Sequence, residues 1–265
     1  MKRLRHSLAI LLLLLVLISC RADLIDIEQD FKNGDYAETI DQLGAYLFFH
    51  ITDVKALHMR ARSYEELGQF TEAKADYERI IDLSPEYGLA YAGLGKIAFE
   101  AKDYKNAELY FLRAATFEEN NFEILYMIGR AQLMNEKYRT AEEFLRMAKD
   151  LNPEFGKVHF YIGMTLAFQG DALGAAAAFN SYVRYEPDHL TGRYNRGFAL
   201  MRAGYLDWAL EDFDAVLKAS PDHWDAMAKK GHCLQQMGEP EGCTLLTRAA
   251  TNGSVYAQAV EGICS

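Results

Sequence analysis

The sequence predicts a repeat protein, a solenoid of like units that bury their apolar faces on one another and share no single central core. Three observations carry this. Gly95, Gly129, Gly163, Gly197 and Gly231 follow one another at 34-residue steps, and so do Ala73, Ala107, Ala141, Ala175 and Ala209. Pro85, Pro153, Pro187 and Pro221 keep the same step, with Glu119 in the one vacant slot. Tyr77, Phe111, Phe179 and Phe213 share a further register, in which Leu145 stands in once.

A 34-residue period carrying these residues resembles the tetratricopeptide repeat, a pair of antiparallel helices. The resemblance implies an all-α fold, a right-handed superhelical solenoid of about six to seven helix pairs. Small Gly and Ala at the eighth and twentieth family positions let the two helices approach closely. The aromatic at the twenty-fourth fills the gap between neighbours, and Pro closes the second helix because it cannot continue it.

Taken from the N-terminus, residues 1–19 read as a lipoprotein signal peptide rather than as part of the fold. Met1 to Arg5 is a basic start and Leu8 to Ile18 an apolar core, too short to span a bilayer comfortably. The run ends in Leu17-Ile18-Ser19-Cys20, which resembles the bacterial lipobox. The resemblance implies cleavage before Cys20 and diacylation of its thiol, a lipid anchor that makes the membrane one of the partners. Removal of Lys2, Arg3 and Arg5 leaves 25 basic against 38 acidic residues, a net charge of -13. An acidic body is repelled by anionic lipid, so attachment must come from the acyl chains.

Residues 20–53 comprise the lipidated start and a worn first repeat, recognisable from Gly34-Asp35-Tyr36. Five consecutive repeats are expected over 54–223, beginning at 54, 88, 122, 156 and 190. Residues 224–265 form a degenerate last repeat and a capping helix, with an ending similar to that of Sel1-like repeats.

The stretch from His159 to Asp171, HFYIGMTLAFQGD, is apolar at almost every step until Gln169, more than a one-sided helix needs. It falls on the first helix of the fifth repeat. His159, Ile162, Gly163 and Leu166 take the core positions, while Phe160, Tyr161, Met164, Ala167 and Phe168 fall where the family lines its concave surface. The same register in the fourth repeat selects Tyr126, Met127, Arg130, Leu133 and Met134, and in the sixth Tyr194, Asn195, Phe198, Met201 and Arg202. A solvent-facing stripe of Tyr, Phe and Met marks an interaction site, and Met suits an irregular apolar partner. The competing assignment makes these side chains core. Towards the N-terminus the register passes through Lys55, His58, Met59, Arg62, Glu65, Glu66, Lys96 and Phe99, a more polar and cationic stretch.

Composition and motifs exclude several chemistries. With 28 basic and 38 acidic residues, net -10, the chain has no electrostatic grip for nucleic acid. Gly93-Leu94-Gly95-Lys96 fails as a phosphate loop, lacking the earlier Gly and carrying Ile97 where Ser or Thr should stand. His189 and His223 each follow Pro-Asp one repeat apart, too far for shared metal ligation. Asn195 alone matches the family's Lys-and-Asn carboxylate clamp, and Phe160 and Met164 occupy the positions that clamp would need, so none is expected. The chain is expected to be neither an enzyme nor a cofactor binder.

The expected function is therefore a membrane-anchored scaffold that holds an apolar segment of an envelope protein at the membrane surface. The runner-up is a carrier for an apolar small molecule or lipid. No aspartate follows Cys20, which in enteric-type bacteria directs a lipoprotein to the outer membrane. Self-association is a further expectation, from the apolar excess of Leu43 to Ile51 and of Val255, Ala257, Val260 and Ile263. Cys233, Cys243 and Cys264 cluster near the C-terminus, and export permits one disulfide among them with one thiol left over. Sequence leaves the choice of pair open.

Overall fold

The computed structural model describes residues 24–264, and the described residues contain helices and no strand. Cys20 and its signal segment lie outside them. The chain divides into two compact units at Glu119/Asn120.

In the first unit, α1 (Leu24–Asn33) pairs with α2 (Tyr36–Phe49), α3 (Val54–Glu66) with α4 (Phe70–Leu83), and α5 (Gly88–Glu100) with α6 (Tyr104–Ala115). The second unit contains α7 (Phe122–Met134) with α8 (Tyr138–Leu151), α9 (Gly156–Gln169) with α10 (Ala172–Tyr185), and α11 (Leu190–Arg202) with α12 (Leu206–Ala219). It ends with α13 (Trp224–Gln236), α14 (Glu241–Thr251), the short α15 (Val255–Ala259) and a 3-10 turn over Glu261–Cys264. Within each unit every helix packs on the next, the consecutive helix-pair order of a solenoid. The first helices of successive pairs begin at Val54, Gly88, Phe122, Gly156, Leu190 and Trp224, on the same sequence ruler as the glycines.

The core explains the ruler. Tyr77, Phe111, Leu145, Phe179 and Phe213 are all fully buried. The last four each lie against a glycine on the preceding helix: a Cβ on Gly163 would stand 2.8 Å from the Phe179 ring, and one on Gly129 would stand 2.5 Å from Leu145. Tyr77 presses instead on the following helix, where a Cβ on Gly93 would meet its ring at 2.2 Å. The helices can approach only because these side chains are missing.

The two helices of each pair are joined through one residue in the left-handed region. Gly34, Gly68, Gly170, Gly204 and Gly238 take positive φ, and Lys102 and Glu136, both at φ 61°, take it on the same 34-residue step without glycine's freedom. Backbone hydrogen bonds repeat with the joint: Gly170 N donates to Ala167 O and Asp171 N to Leu166 O, as Gly68 N does to Glu65 O and Gln69 N to Tyr64 O. Asp171 also caps the helix that follows, accepting from Gly174 N at 2.8 Å, and Asp103 does the same for Asn106 N at 3.2 Å.

One core assignment needs correcting. His159 is half-buried, with its ring against Tyr185 and Nε2 2.8 Å from Pro153 O, whereas Val158 and Thr165 are buried beside Ile162, Gly163 and Leu166. On α9 the buried arc therefore keeps Ile162, Gly163 and Leu166 and extends to Val158 and Thr165 in place of His159, a difference that an all-apolar stretch conceals.

Cys243 and Cys264 form the disulfide, with Cα atoms 5.6 Å apart, and Cys233 is the buried free thiol. Burial raises the Cys233 thiol to about 12, so it stays protonated and behaves as a small apolar filler.

Candidate functional site

The face that the sequence singles out is presented in the second unit by α7, α9 and α11. Its residues fall into two groups and a buried remainder. Around α7, Arg130 is half-buried with its guanidinium 5.4 Å from the Tyr126 ring centroid and 5.0 Å from that of Tyr161, and its Nη1 lies 3.3 Å from Met127 Sδ. Tyr126 packs against Tyr161 and Phe155 at 5.6 and 5.3 Å, and burial raises its phenol. A planar cation set on aromatic rings is attracted by their negative faces, which holds the guanidinium in place.

The second group lines a cleft of about 260 Å³ between α9 and α11, formed chiefly by Met164, Ala167, Phe168, Asn195, Phe198 and Arg202. Phe179, the buried ring of α10, forms part of the lining. Phe168 is exposed and stacks on Tyr138 at 5.1 Å, whereas Met164, Asn195 and Phe198 are half-buried. The walls are apolar, Asn195 and Arg202 supply the polar edge, and no carboxylate among the described residues lines the cleft. An arrangement of this kind can seat apolar side chains while a cation and an amide hold nearby acceptor groups.

Other expected surface residues are placed differently. Tyr126, Met127 and Met201 are buried within the unit and underlie the face. Phe160 is half-buried and braced by Phe179 and Tyr182 at 5.7 and 5.1 Å. Tyr194 is half-buried against His223 at 4.9 Å, and burial raises its phenol to about 12. Met134 is exposed but does not line the cleft. Of the residues on the expected register, Met164, Phe168, Asn195 and Phe198 line the cleft, whereas Tyr126, Met127 and Met201 lie buried.

Sequence reasoning missed one element of this face. Lys229 of α13 is buried with its Nζ 5.1 Å from the Tyr194 ring centroid, 4.8 Å from Phe198 and 4.2 Å from Tyr256 of α15. Desolvation lowers its ammonium, partly opposed by Asp225. Tyr256 Oη meets His232 Nδ1 at 2.5 Å, and Ser254 Oγ donates to Asp225 at 2.5 Å. The closing segment thus occupies this face beyond Phe198. A signal for it exists, since Lys229 takes the position of Asn195 in the next repeat.

In the first unit the matching face is charge-paired. Lys55 pairs with Glu28, Arg62 with Glu66 at 3.8 Å, and Lys96 lies 4.0 Å from Glu65, which also accepts from Tyr77 Oη. Met59 is buried, and His58 is held near pKa 4 by burial and by Arg62 and Lys96. In the second unit, His223 accepts the α13 cap bond from Ala226 N at 3.2 Å, and His189 packs on Tyr182 at 5.5 Å.

Residues 58–122 and 160–223 match the tetratricopeptide repeat family model. Among known proteins the chain is similar to protein FlbA of Caulobacter vibrioides, 27% identical over 164 residues that make up 62% of this chain and 28% of FlbA. It spans about a quarter to a third of the length of the curated relatives it matches. Among solved structures it is similar to YrrB, described as a TPR protein with an unusual peptide-binding site, at 25% identity and TM-score 0.65 over 71% of this chain and 97% of YrrB. Its fold is also that of Pseudomonas aeruginosa pilF, at 15% identity and TM-score 0.63 over 79% of this chain and 96% of the other.

Proposed function

From the premise that this chain is built of tetratricopeptide repeats, we propose that it is a protein-interaction scaffold whose binding face is the α9–α11 cleft of the second unit. The observation that carries this is the cleft itself: Met164, Phe168 and Phe198 bring apolar surface to an opening edged by Asn195 and Arg202. At about 260 Å³ it is smaller than the 300–1,000 Å³ usual for an enclosed small-molecule site, and it suits one or two side chains of a partner segment. The similarity to YrrB, described as having an unusual peptide-binding site, supports the same reading.

The scaffold is proposed to act from a membrane. Lipidation at Cys20 after cleavage of residues 1–19 attaches it to the periplasmic face of the outer membrane, where it meets an envelope partner of assembly, secretion or pilus-type machinery. Supporting this are the Leu17-Ile18-Ser19-Cys20 sequence and the Cys243–Cys264 disulfide, a bond suited to an exported protein.

Photocrosslinking in cells from position 164, with Met164 replaced by a photoreactive residue, tests the scaffold. One dominant protein adduct, lost when Phe198→Ala is added, is the expected result. A lipid or metabolite adduct would transfer the role to a carrier, and no adduct would remove the cleft as a binding face.

A further inference from the structure

The apolar excess at the N-terminal end of the first unit lies at its surface. Phe48 is 75% exposed, Phe49 68%, Ile51 55% and Ile25 77%. The α1–α2 hairpin turns at Gly34, so Ile25 at the start of α1 and Phe48 and Phe49 at the end of α2 lie at the same end of the hairpin. The Phe48 and Phe49 rings meet edge to face at 5.0 Å, and Arg79 Nη2 of α4 donates to Ile51 O, holding the loop that follows. Such a run of uncovered large side chains is uncommon on a protein surface and marks a contact.

We infer that this hairpin end is a bilayer-docking patch, with Phe48, Phe49, Ile51 and Ile25 entering the lipid interface beside the acylated Cys20. The inference rests on the lipid-anchor reading above. Cys20 precedes Leu24 by four residues, a span of at most about 14 Å, so the tether holds this end of the first unit at the lipid. The net charge of -13 after cleavage gives the body no electrostatic attraction to anionic headgroups. Apolar insertion does not depend on that charge, and aromatic rings settle readily at the lipid–water boundary. Acyl chains alone leave the body free to swivel about Cys20. Side chains entering beside them fix its angle to the membrane.

The test uses the full-length lipidated protein in phosphatidylcholine–phosphatidylglycerol vesicles, with Phe48→Trp as a reporter read as the difference from unsubstituted protein. A blue-shifted difference emission, quenched by lipids brominated near the headgroup end of the acyl chains, is expected. Emission at the solvent maximum without quenching, from protein that still floats with the vesicles, overturns the patch and leaves the anchor standing. A concentration-dependent blue shift in vesicle-free Cys20→Ser protein assigns the patch to a second copy and also overturns the inference. Absence of both labelled-palmitate uptake and flotation removes the anchor reading, and this inference with it.

Discussion

Arg196 holds Asp212 through both prongs of its guanidinium, Nε at 2.8 Å from Oδ2 and Nη2 at 2.6 Å from Oδ1. Arg60 holds Asp76 in the same way in the other unit, both contacts at 2.7 Å. The two arginines stand four repeat steps apart in the sequence, as do the two aspartates. In the repeat that starts at 122, Ile128 and Phe144 occupy the same two positions. The sequence thus sets an ion pair and an apolar pair at the same two positions of different repeats.

The Asp212 side chain is only 2% exposed and that of Arg196 22%, so deleting the carboxylate leaves the guanidinium with Asn180 Oδ1 at 2.7 Å and solvent in place of its charged partner. Asp212→Ala is expected to cost about 2 kcal/mol in urea denaturation. Arg196→Ile with Asp212→Phe, copying Ile128 and Phe144, is expected to recover most of that loss. A single-site cost below about 0.5 kcal/mol would show that the pair is incidental.

His58 supplies a pH dependence to the first unit. Its folded pKa is about 4, lowered from 6.5 first by burial and then by Arg62 and Lys96. Because the folded value lies below the unfolded one, acidification protonates the unfolded chain first. Stability present above pH 6.5 falls as pH drops towards 4, by about 3 kcal/mol in all. Glu65 acts in the opposite sense, since burial raises its carboxyl and favours the folded state as it protonates. Comparing urea midpoints of the unsubstituted protein and His58→Phe at pH 7 and pH 4.5 separates the two. The variant should lose less stability on acidification, and parallel losses would exclude His58 as the cause.

The disulfide should matter locally. Cys243 and Cys264 are 21 residues apart and tie the 3-10 turn to α14. Closing a loop of that length stabilises by about 3 kcal/mol, which in a repeat array falls mainly on the terminal repeat. Limited proteolysis after reduction is expected to cut within 252–264 before any other site. An unchanged cleavage pattern would mean that Tyr256, Ser254 and their partners hold the segment unaided.

The fold was legible wherever a residue type is demanded by geometry at every step. The glycines pressed on Phe111, Phe179 and Phe213, and the aromatics themselves, have few substitutes, so their period is visible in one sequence. The candidate face was less legible because burial there depends on what packs above it. Tyr126 and Phe160 occupy equivalent positions, yet Tyr126 is buried beneath Phe155 and Tyr161 while Phe160 is half-buried. The unit boundary leaves a mark of its own: Glu119 fills the vacant proline slot, the preceding α6 has 12 residues, and Asn120 takes φ 57°. The Arg60–Asp76 and Arg196–Asp212 pairs are written in the sequence as a recurring Arg and Asp at one fixed spacing. Only two repeats use them, too few to stand out as a period.

The left-handed joints at Gly34, Gly68, Lys102, Glu136, Gly170, Gly204 and Gly238 set a phase as well as a turn. One residue inserted early in α9 would rotate every later side chain of that helix by about 100°, taking Phe168 off the cleft. Two residues would be no better, and a full helical turn would displace the joint at Gly170 from its hydrogen bonds. Length can therefore change without loss of register only by whole repeats, and a lineage carrying this fold would be expected to differ from its relatives by entire helix pairs.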